Sequence, residues 1–286
     1  MKIKEILSLN KPSLSFEVFP PKTTDVFDSV KTATEKIAKL SPSFMSVTYG
    51  AGGTTDKYTT EIATNILKNY NVTPIAHLTC VGAEKTRIKE KLIELESNGI
   101  ENILALRGDI PDSGVSCVDF SFANELVEFI KKNGNFCIGG ACYPDSHVES
   151  KNQQADIFYL KKKVDAGCDF LTTQMFFDNN VLYNYLYKIR EAGITVPVIA
   201  GIMPVTNAKQ IKRICALSGT YLPERFKRIA DKFGDNPSAM QQAGIAYATD
   251  QIIDLYANGI KAVHVYSMNK PDVAQKIQEN LSEILK

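Results

Sequence analysis

The segment SLSFEVFPPK, residues 13–22, predicts a β-strand that carries one charged residue inside an apolar run. Leu14, Phe16 and Val18 alternate along the chain, as side chains on one face of a strand do. The same alternation places Glu17 on the opposite face, close to the pair of prolines that ends the run. Burying a carboxylate costs free energy unless other groups compensate it, so Glu17 marks this strand end as a candidate functional position.

Seven more short apolar or β-branched runs follow this one. The eight runs are LSFEVF (14–19), FMSVTY (44–49), PIAHLTC (74–80), NILALRG (102–108), FCIGGACY (136–143), DFLTTQMFF (169–177), VPVIAGIM (196–203) and KAVHVYSM (261–268). Amphipathic helical patterns separate them, for example at 84–100 and 179–194. Asn-Gly or Ala-Gly pairs at 98–99, 192–193 and 258–259 predict helix ends. Strict alternation of strand and helix predicts parallel strands joined by helical crossovers.

Eight strand–helix units predict an α/β fold, a (βα)8 TIM barrel, whose typical length is about 250 residues. We therefore expect residues 1–286 to form a single catalytic barrel domain. Residues 218–257 are surplus to that pattern, and Gly234 and Pro237 split them into two helical stretches, which predicts extra helices between strands seven and eight. An open doubly wound sheet is the alternative, but GAGGTT at 50–55 lacks the third glycine of GxGxxG, and no GxxxxGK[ST] segment occurs.

The composition predicts a soluble intracellular protein, and we expect it in the cytoplasm. The net charge of +1 gives no general preference for nucleic acid or for an anionic membrane. No apolar run approaches the roughly 18 residues of a spanning helix. Charges interrupt the opening MKIKEILSLNKPS, so we expect no signal peptide. Six cysteines in 286 residues are too sparse for a disulfide scaffold and suit a reducing compartment.

Polar side chains gather at the predicted C-terminal ends of the strands, where barrel enzymes carry their active sites. They are Glu17, Thr48, Tyr49, His77, Thr79, Arg107, Asp109, Tyr143, His147, Gln174 and Tyr266. Each alone also fits a structural role. The RGD sequence at 107–109 fits a surface turn, His77 and His264 fit a barrel core, and LKKKVDAG at 160–167 fits a solvated helix face. Their convergence at one rim nevertheless predicts a functional site, because buried polar groups need partners.

Several familiar chemistries find little support in the sequence. His77 with Cys80, and Cys137 with Cys142, are candidate zinc ligands, but no CxxC or HxxxH pair accompanies them, so no metal is expected. No lysine lies in the C-terminal half of a predicted strand to form a Schiff base, and no GxSxG segment predicts a serine hydrolase. The remaining possibility is a polar rim that serves a bound organic cofactor.

Nine segments, in order along the chain, resemble the strand-end motifs of the methylenetetrahydrofolate reductase family. They are SFEVFPPK, SVTYGAGG, AHLTC, ALRGD, ACYPDSH, LKKKVDAG, TTQMFFD, GIMPVTN and HVYSMN, and the resemblance covers about residues 13 to 270. It implies a flavoprotein barrel that reduces 5,10-methylenetetrahydrofolate to 5-methyltetrahydrofolate with NAD(P)H, in one-carbon and methionine metabolism. It also implies the short bacterial type, without the regulatory domain of larger members, and assembly into a homo-oligomer.

The resemblance also implies roles for single residues. Glu17 matches the general acid that protonates the folate N5 and opens the ring, and Asp109 matches a carboxylate between flavin and folate. Gln174 matches a folate contact, with Gln210 and Lys270 on the same substrate side. The residues that match the lining of the FAD site are Thr48, His77, Arg107, Gly108, Asp109, Tyr143, His147, Asp156, Tyr159, Lys162 and Lys163. Hydride is expected to pass from NAD(P)H to FAD and then to the folate with ping-pong kinetics; the choice of NADH, NADPH or a protein donor stays open.

Three positions depart from the family pattern. Ala208 stands where related enzymes often have an aromatic residue that packs on the nicotinamide or the folate, so we expect a rearranged donor pocket. Tyr159 and Lys162 replace the Asn and Arg expected near FAD. Lysine keeps the positive charge but loses the bidentate fork of arginine.

For Glu17 we expect that burial and the neighbouring Asp109 both raise the pKa, which is what a general acid needs.

Two other classes of protein remain alternatives. One is a folate or corrinoid methyltransferase barrel, which would bind no flavin. The other is a flavin- or folate-binding module without catalysis.

Overall fold

The computed structural model describes residues 1–21, 23–49, 56–110 and 119–286, and in these ranges eight parallel strands close a barrel in chain order. The strands are β1 (Ser13–Val18), β2 (Met45–Val47), β3 (Pro74–Thr79), β4 (Asn102–Leu106), β5 (Cys137–Cys142), β6 (Phe170–Thr173), β7 (Val198–Ile202) and β8 (Ala262–Tyr266). Pairing of β1 with β8 closes the barrel. The predicted (βα)8 fold is therefore confirmed, whereas GAGGTT at 50–55 lies outside the described residues.

Helices surround the barrel and follow the strands in the predicted alternation. In the described ranges they are α1 (Ile3–Ser8), α2 (Phe27–Ala38), α3 (Asp56–Tyr70), α4 (Lys85–Ser97), α5 (Ala123–Asn133), α6 (Gln153–Asp165), α7 (Asn179–Glu191), α8 (Ala208–Ser218), α9 (Glu224–Phe233), α10 (Pro237–Ala257) and α11 (Pro271–Asn280), with a 3₁₀ turn at Thr24–Val26. The ends of α4, α7 and α10 fall directly before the predicted Asn-Gly and Ala-Gly pairs. None of these helices combines the length and the apolar character that crossing a bilayer requires, as far as the structure describes the chain.

The predicted extra helices between strands seven and eight are α9 and α10, and they separate at Gly234 and Pro237 as expected. Helix α10 packs very closely on the loop that follows β7. A Cβ atom added at Gly244 would lie 1.8 Å from the carbonyl oxygen of Val205, so only glycine permits this approach. The loop after β7 is thereby held against a separate apolar cluster, which includes Met175 and Phe226.

The two faces of β1 divide as the alternation predicts. Leu14, Phe16 and Val18 are buried in the core between the barrel and the helices. Ser15 points into the barrel, where its hydroxyl lies 2.8 Å from Nδ1 of His264. Glu17, two residues further along the same face, therefore also faces the interior, near the C-terminal mouth of the barrel.

Helix α1 is an element that the sequence patterns did not predict. Its Ile3 side chain is fully buried with Phe44, Ile75 and Phe170, and the Ile3 amide donates a 2.8 Å hydrogen bond to the side-chain oxygen of Asn102. Asn102 lies at the start of β4, so α1 closes the N-terminal end of the barrel. The opposite end is left for the site.

Candidate functional site

A cavity of about 1,210 Å³ opens at the C-terminal ends of β2 to β5 and extends along α6. Its volume exceeds the roughly 300–1,000 Å³ of a typical small-molecule pocket, so it suits a large cofactor. Every residue that the resemblance assigned to FAD lines this cavity: Thr48, His77, Arg107, Gly108, Asp109, Tyr143, His147, Asp156, Tyr159, Lys162 and Lys163. The fold thus brings together residues that are dispersed over more than 100 positions of the sequence.

The turn after β4 depends on a glycine. Gly108 has φ of +89°, and a Cβ atom there would lie 2.9 Å from Val81 Cγ1, so this position excludes other residues on both conformational and steric grounds. The chain turns at this point between Arg107 and Asp109, both of which line the cavity. The predicted RGD surface turn is therefore part of the cavity wall.

Arg107 is held by a bidentate ion pair with Glu149. Its two terminal nitrogens donate to the Glu149 carboxylate at 2.6 and 2.7 Å, and its Nε donates to the Gly108 carbonyl at 3.2 Å. Hydrogen bonding from Arg107 lowers the pKa of Glu149. Sequence analysis missed Glu149; its only signal was an acidic residue near His147 in the same polar loop.

The loop between β5 and α6 is organised by Asp156. Its carboxylate accepts hydrogen bonds from the His147 amide at 3.3 Å and from the Ser150 hydroxyl at 3.1 Å. The rings of Tyr143 and His147 meet edge to face, with 4.6 Å between their centroids. Asp156, predicted as a contact to FAD, therefore shapes the loop that carries His147.

Two lysines of α6 face the cavity in different ways. Lys163 is deeply placed, donates to the Ala141 carbonyl at 2.8 Å, and has its pKa lowered by burial. Lys162 lies over the rings of Phe158 and Tyr159, with Nζ 4.7 and 5.6 Å from their centroids. Tyr159 is 60% exposed at the cavity, so the two residues predicted to depart from the family pattern, Tyr159 and Lys162, belong to one aromatic–cation cluster.

Glu17 and His77 face each other inside the barrel. Oε2 of Glu17 lies 3.7 Å from Nε2 of His77, and the two side chains are 21% and 7% exposed. Burial raises the pKa of Glu17 to about 8 and lowers the pKa of His77 to about 3, so both groups are mainly neutral at pH 7. The expected contribution of Asp109 to the pKa of Glu17 is wrong, because burial alone accounts for the rise.

The predicted substrate-side residues lie around the remaining part of the rim. The backbone amide of Gln174 donates to the Cys142 carbonyl at 2.7 Å, and the side-chain oxygen of Gln174 accepts a hydrogen bond from the backbone amide of Met175. Lys270 donates to the Thr206 hydroxyl at 2.6 Å and so links the loops after β7 and β8. Gln210 lies on the exposed side of α8, and no described hydrogen bond joins it to Gln174 or Lys270.

The sequence matches the profile of one family, methylenetetrahydrofolate reductase, over residues 2–282. It is 33% identical to the 5,10-methylenetetrahydrofolate reductase of Escherichia coli (strain K12) over 269 residues, which are 94% of this chain and 90% of that protein. This chain belongs to the methylenetetrahydrofolate reductase family. The family resemblance found in nine short segments therefore extends over almost the whole chain.

Relatives of the methylenetetrahydrofolate reductase family in plants are longer. The protein named methylenetetrahydrofolate reductase (NADH) 1 in Arabidopsis thaliana is 35% identical over 298 residues, covering 99% of this chain but 50% of that protein. This chain thus spans about half the length of that relative. A solved structure from Clostridium thermocellum, described as an uncharacterised protein that binds two copies of 5-methyl-5,6,7,8-tetrahydrofolic acid, superposes with a TM-score of 0.70, 13% identity and 99% coverage of both chains. At that identity the likeness shows the fold alone.

Ala208, predicted to depart from the family pattern, occupies a tightly packed position. Its side chain is buried in the apolar cluster beneath α8 to α10. A Cβ atom added at Gly234 would lie 2.8 Å from the Ala208 Cβ, so the end of α9 sits directly against this small residue. A larger side chain at 208 would have to displace α9 or turn towards the rim.

Proposed function

We propose that this protein reduces 5,10-methylenetetrahydrofolate to 5-methyltetrahydrofolate, using FAD and NAD(P)H. Membership of the family supports this reaction, as does the similarity to the Escherichia coli protein, which is named 5,10-methylenetetrahydrofolate reductase. The observation that carries the proposal is Glu17, a carboxyl group at the barrel mouth whose pKa is raised to about 8 by burial. General acid catalysis is most efficient when the pKa of the acid lies near the operating pH.

The residues of the large cavity fit FAD. Its volume suits a cofactor of that length, and Lys162 and Lys163 bring positive charge that would offset the pyrophosphate, whereas the charge of Arg107 is paired with Glu149. Tyr159 offers an exposed aromatic face at the same cavity. When bound, FAD supplies the transfer of hydride between the nicotinamide and the folate.

The task of Glu17 is to deliver one proton. At pH 7 a carboxyl group with a pKa of about 8 is about nine-tenths protonated, so most molecules are ready to donate. The product carries its methyl group on N5, so the bond that breaks joins N10 to the bridging methylene, and the proton from the Glu17 oxygen ends on the N10 leaving group and not on N5 as expected from the resemblance. The methylene then remains on N5 as an iminium cation that can accept hydride. Asp109 supplies a negative charge at the same rim that would stabilise this cation.

The remaining features of the proposal concern donor, order and assembly. We propose that donor and folate use one site in turn, which produces ping-pong kinetics. The plant relatives are named as NADH-dependent, which makes NADH the first donor to test. We further propose a cytoplasmic homo-oligomer, which light scattering coupled to size-exclusion chromatography tests.

The proposed function is tested on the purified protein. Denaturation followed by chromatography of the released chromophore should yield FAD, and the protein should then form 5-methyltetrahydrofolate from the methylene compound with NADH or NADPH. Recovery of FMN, or failure to take up any flavin on reconstitution, would contradict the cofactor. A colourless protein that transfers the folate methyl group would favour the methyltransferase alternative.

A further inference from the structure

His77 stands between the large cavity and Glu17. The residue lines the cavity, yet its side chain is 7% exposed, and Nε2 is buried without a hydrogen-bond partner in the described part of the chain. An unpaired buried polar atom costs free energy, so a nearby partner is expected. The Glu17 carboxyl oxygen at 3.7 Å is too distant for a hydrogen bond, but a movement of about 1 Å would close the gap.

The other histidine of the barrel interior is already fully paired. Nδ1 and Nε2 of His264 each lie 2.8 Å from a serine hydroxyl, that of Ser15 and that of Ser46. Burial lowers the pKa of His264 to about 3, with a smaller effect from His77, so His264 is neutral. It therefore offers neither a free nitrogen to His77 nor a charge to Glu17.

The titratable groups on the neighbouring strands are neutral as well. Tyr266 of β8 donates its hydroxyl proton to the Thr173 carbonyl, and its pKa is raised by burial and, less strongly, by Glu17. On β5 and just after it, burial raises the pKa of Cys142 and of Tyr143 to about 12. After β4, the charged groups at the rim are Arg107, paired with Glu149, and Asp109.

We propose that His77 is a positioning residue for Glu17, and that its Nε2–H closes onto the Glu17 carboxylate once the proton has been delivered. The inference rests on the proposed role of Glu17 as the proton donor. A neutral imidazole carries one N–H donor, and a hydrogen bond from it to an ionised carboxylate is stronger than one between neutral groups. The proton itself passes only from Glu17 to the folate N10; none passes through His77.

This arrangement predicts that His77 keeps the pKa of Glu17 lower than burial alone would. The test uses H77Q, whose side-chain amide can donate from nearly the same place, and H77L and H77M, which cannot donate. The ionisation of Glu17 is followed by infrared difference spectroscopy of its carboxyl band from pH 5 to 10 on the full-length protein as isolated. E17Q identifies the band.

The apolar variants should raise the ionisation midpoint of Glu17 by about one to two pH units, because a hydrogen bond to a charged group is lost. H77Q should leave the midpoint within about half a unit of wild type. An unchanged or lower midpoint in both H77L and H77M would overturn the inference. If H77L unfolds, H77M gives the same comparison.

The infrared midpoint does not depend on any reaction, so it separates this inference from the proposed function. A midpoint that rises in H77L, in a protein that never reduces methylenetetrahydrofolate, would support the coupling of His77 to Glu17 and contradict the proposed function. If wild type reduces the folate but the ionisation midpoint of Glu17 is unchanged in H77L and H77M, the proposed function is supported and the coupling of His77 to Glu17 is contradicted. In an active enzyme, the alkaline limb of the pH profile should shift upwards in H77L but not in H77Q.

Discussion

Replacing Glu17 with glutamine should remove a loss of stability that wild type suffers as the pH rises from 4.5 to 8. The carboxyl group has an ordinary pKa of 4.5, and burial raises it to about 8 in the folded protein. Above pH 4.5 the unfolded chain releases a proton that the folded protein retains, so stability falls as the pH rises from 4.5 to 8. Glutamine does not titrate, so E17Q escapes this loss.

The size of the effect follows from the distance between the two pKa values. Each pH unit between them costs about 1.4 kcal/mol, and pH 7 lies 2.5 units above 4.5, which gives about 3 kcal/mol at pH 7. Above pH 8 the difference reaches a plateau of about 5 kcal/mol. A constant offset is added, because a buried amide has hydrogen-bonding needs of its own, but that offset does not vary with pH.

Equilibrium urea unfolding of wild type and E17Q, at intervals from pH 4 to 9, measures this difference. The exposed Glu96 of α4 provides the control, since E96Q also removes one negative charge and should stay within about 0.5 kcal/mol of wild type. The buried histidines titrate in both proteins, so their contribution cancels. A difference between E17Q and wild type that is flat over this range would refute a buried, neutral Glu17.

Four further predictions address other parts of the structure. Wild type should lose stability as the pH falls from 6.5 towards 3, because His264 has a pKa lowered to about 3, and H264Q should weaken that dependence in urea unfolding at pH 4 and 7. G108A should lower the urea midpoint and the FAD content together; a wild-type flavin content would contradict the role of the turn. G244A should destabilise by roughly 1–3 kcal/mol despite the better helix propensity of alanine, and unchanged unfolding would contradict the close contact with Val205. Q174A should weaken folate binding by about 0.5–1.5 kcal/mol in titrations and leave FAD binding unchanged; equal losses would remove Gln174 from the folate side.

The barrel was predictable because its signal is local and repeated eight times. The boundaries were less so: the run at 169–177 predicted a longer strand than Phe170–Thr173, since the buried Met175, Phe176 and Phe177 continue the apolar run into the loop. Helix α1 was missed because it is short and charged. Burial of Ile3 beneath the barrel stabilises α1, and this long-range contact leaves no periodic pattern in the local sequence.

The sequence motifs predicted which residues line the cavity, but they did not predict which side chains pair with each other. Short segments identified the residues that line the cavity, and the strand alternation oriented Glu17 correctly. The ion pair of Arg107 with Glu149 joins residues 42 positions apart, so no local pattern predicted it. The prediction that Asp109 raises the pKa of Glu17 is wrong for a similar reason. The sequence places both residues at the same rim but does not specify the distance between their carboxyl groups.

The most direct test of the account is to time the two half-reactions of E17Q separately by stopped-flow absorbance. NAD(P)H should bleach the bound flavin at close to the wild-type rate, because that step needs no proton from Glu17. Methylenetetrahydrofolate should restore the colour more slowly than in wild type by about 10²–10⁴-fold, the usual cost of losing general acid catalysis. Equal loss of both half-reactions would make Glu17 a structural residue, and retention of both would assign the proton to another group.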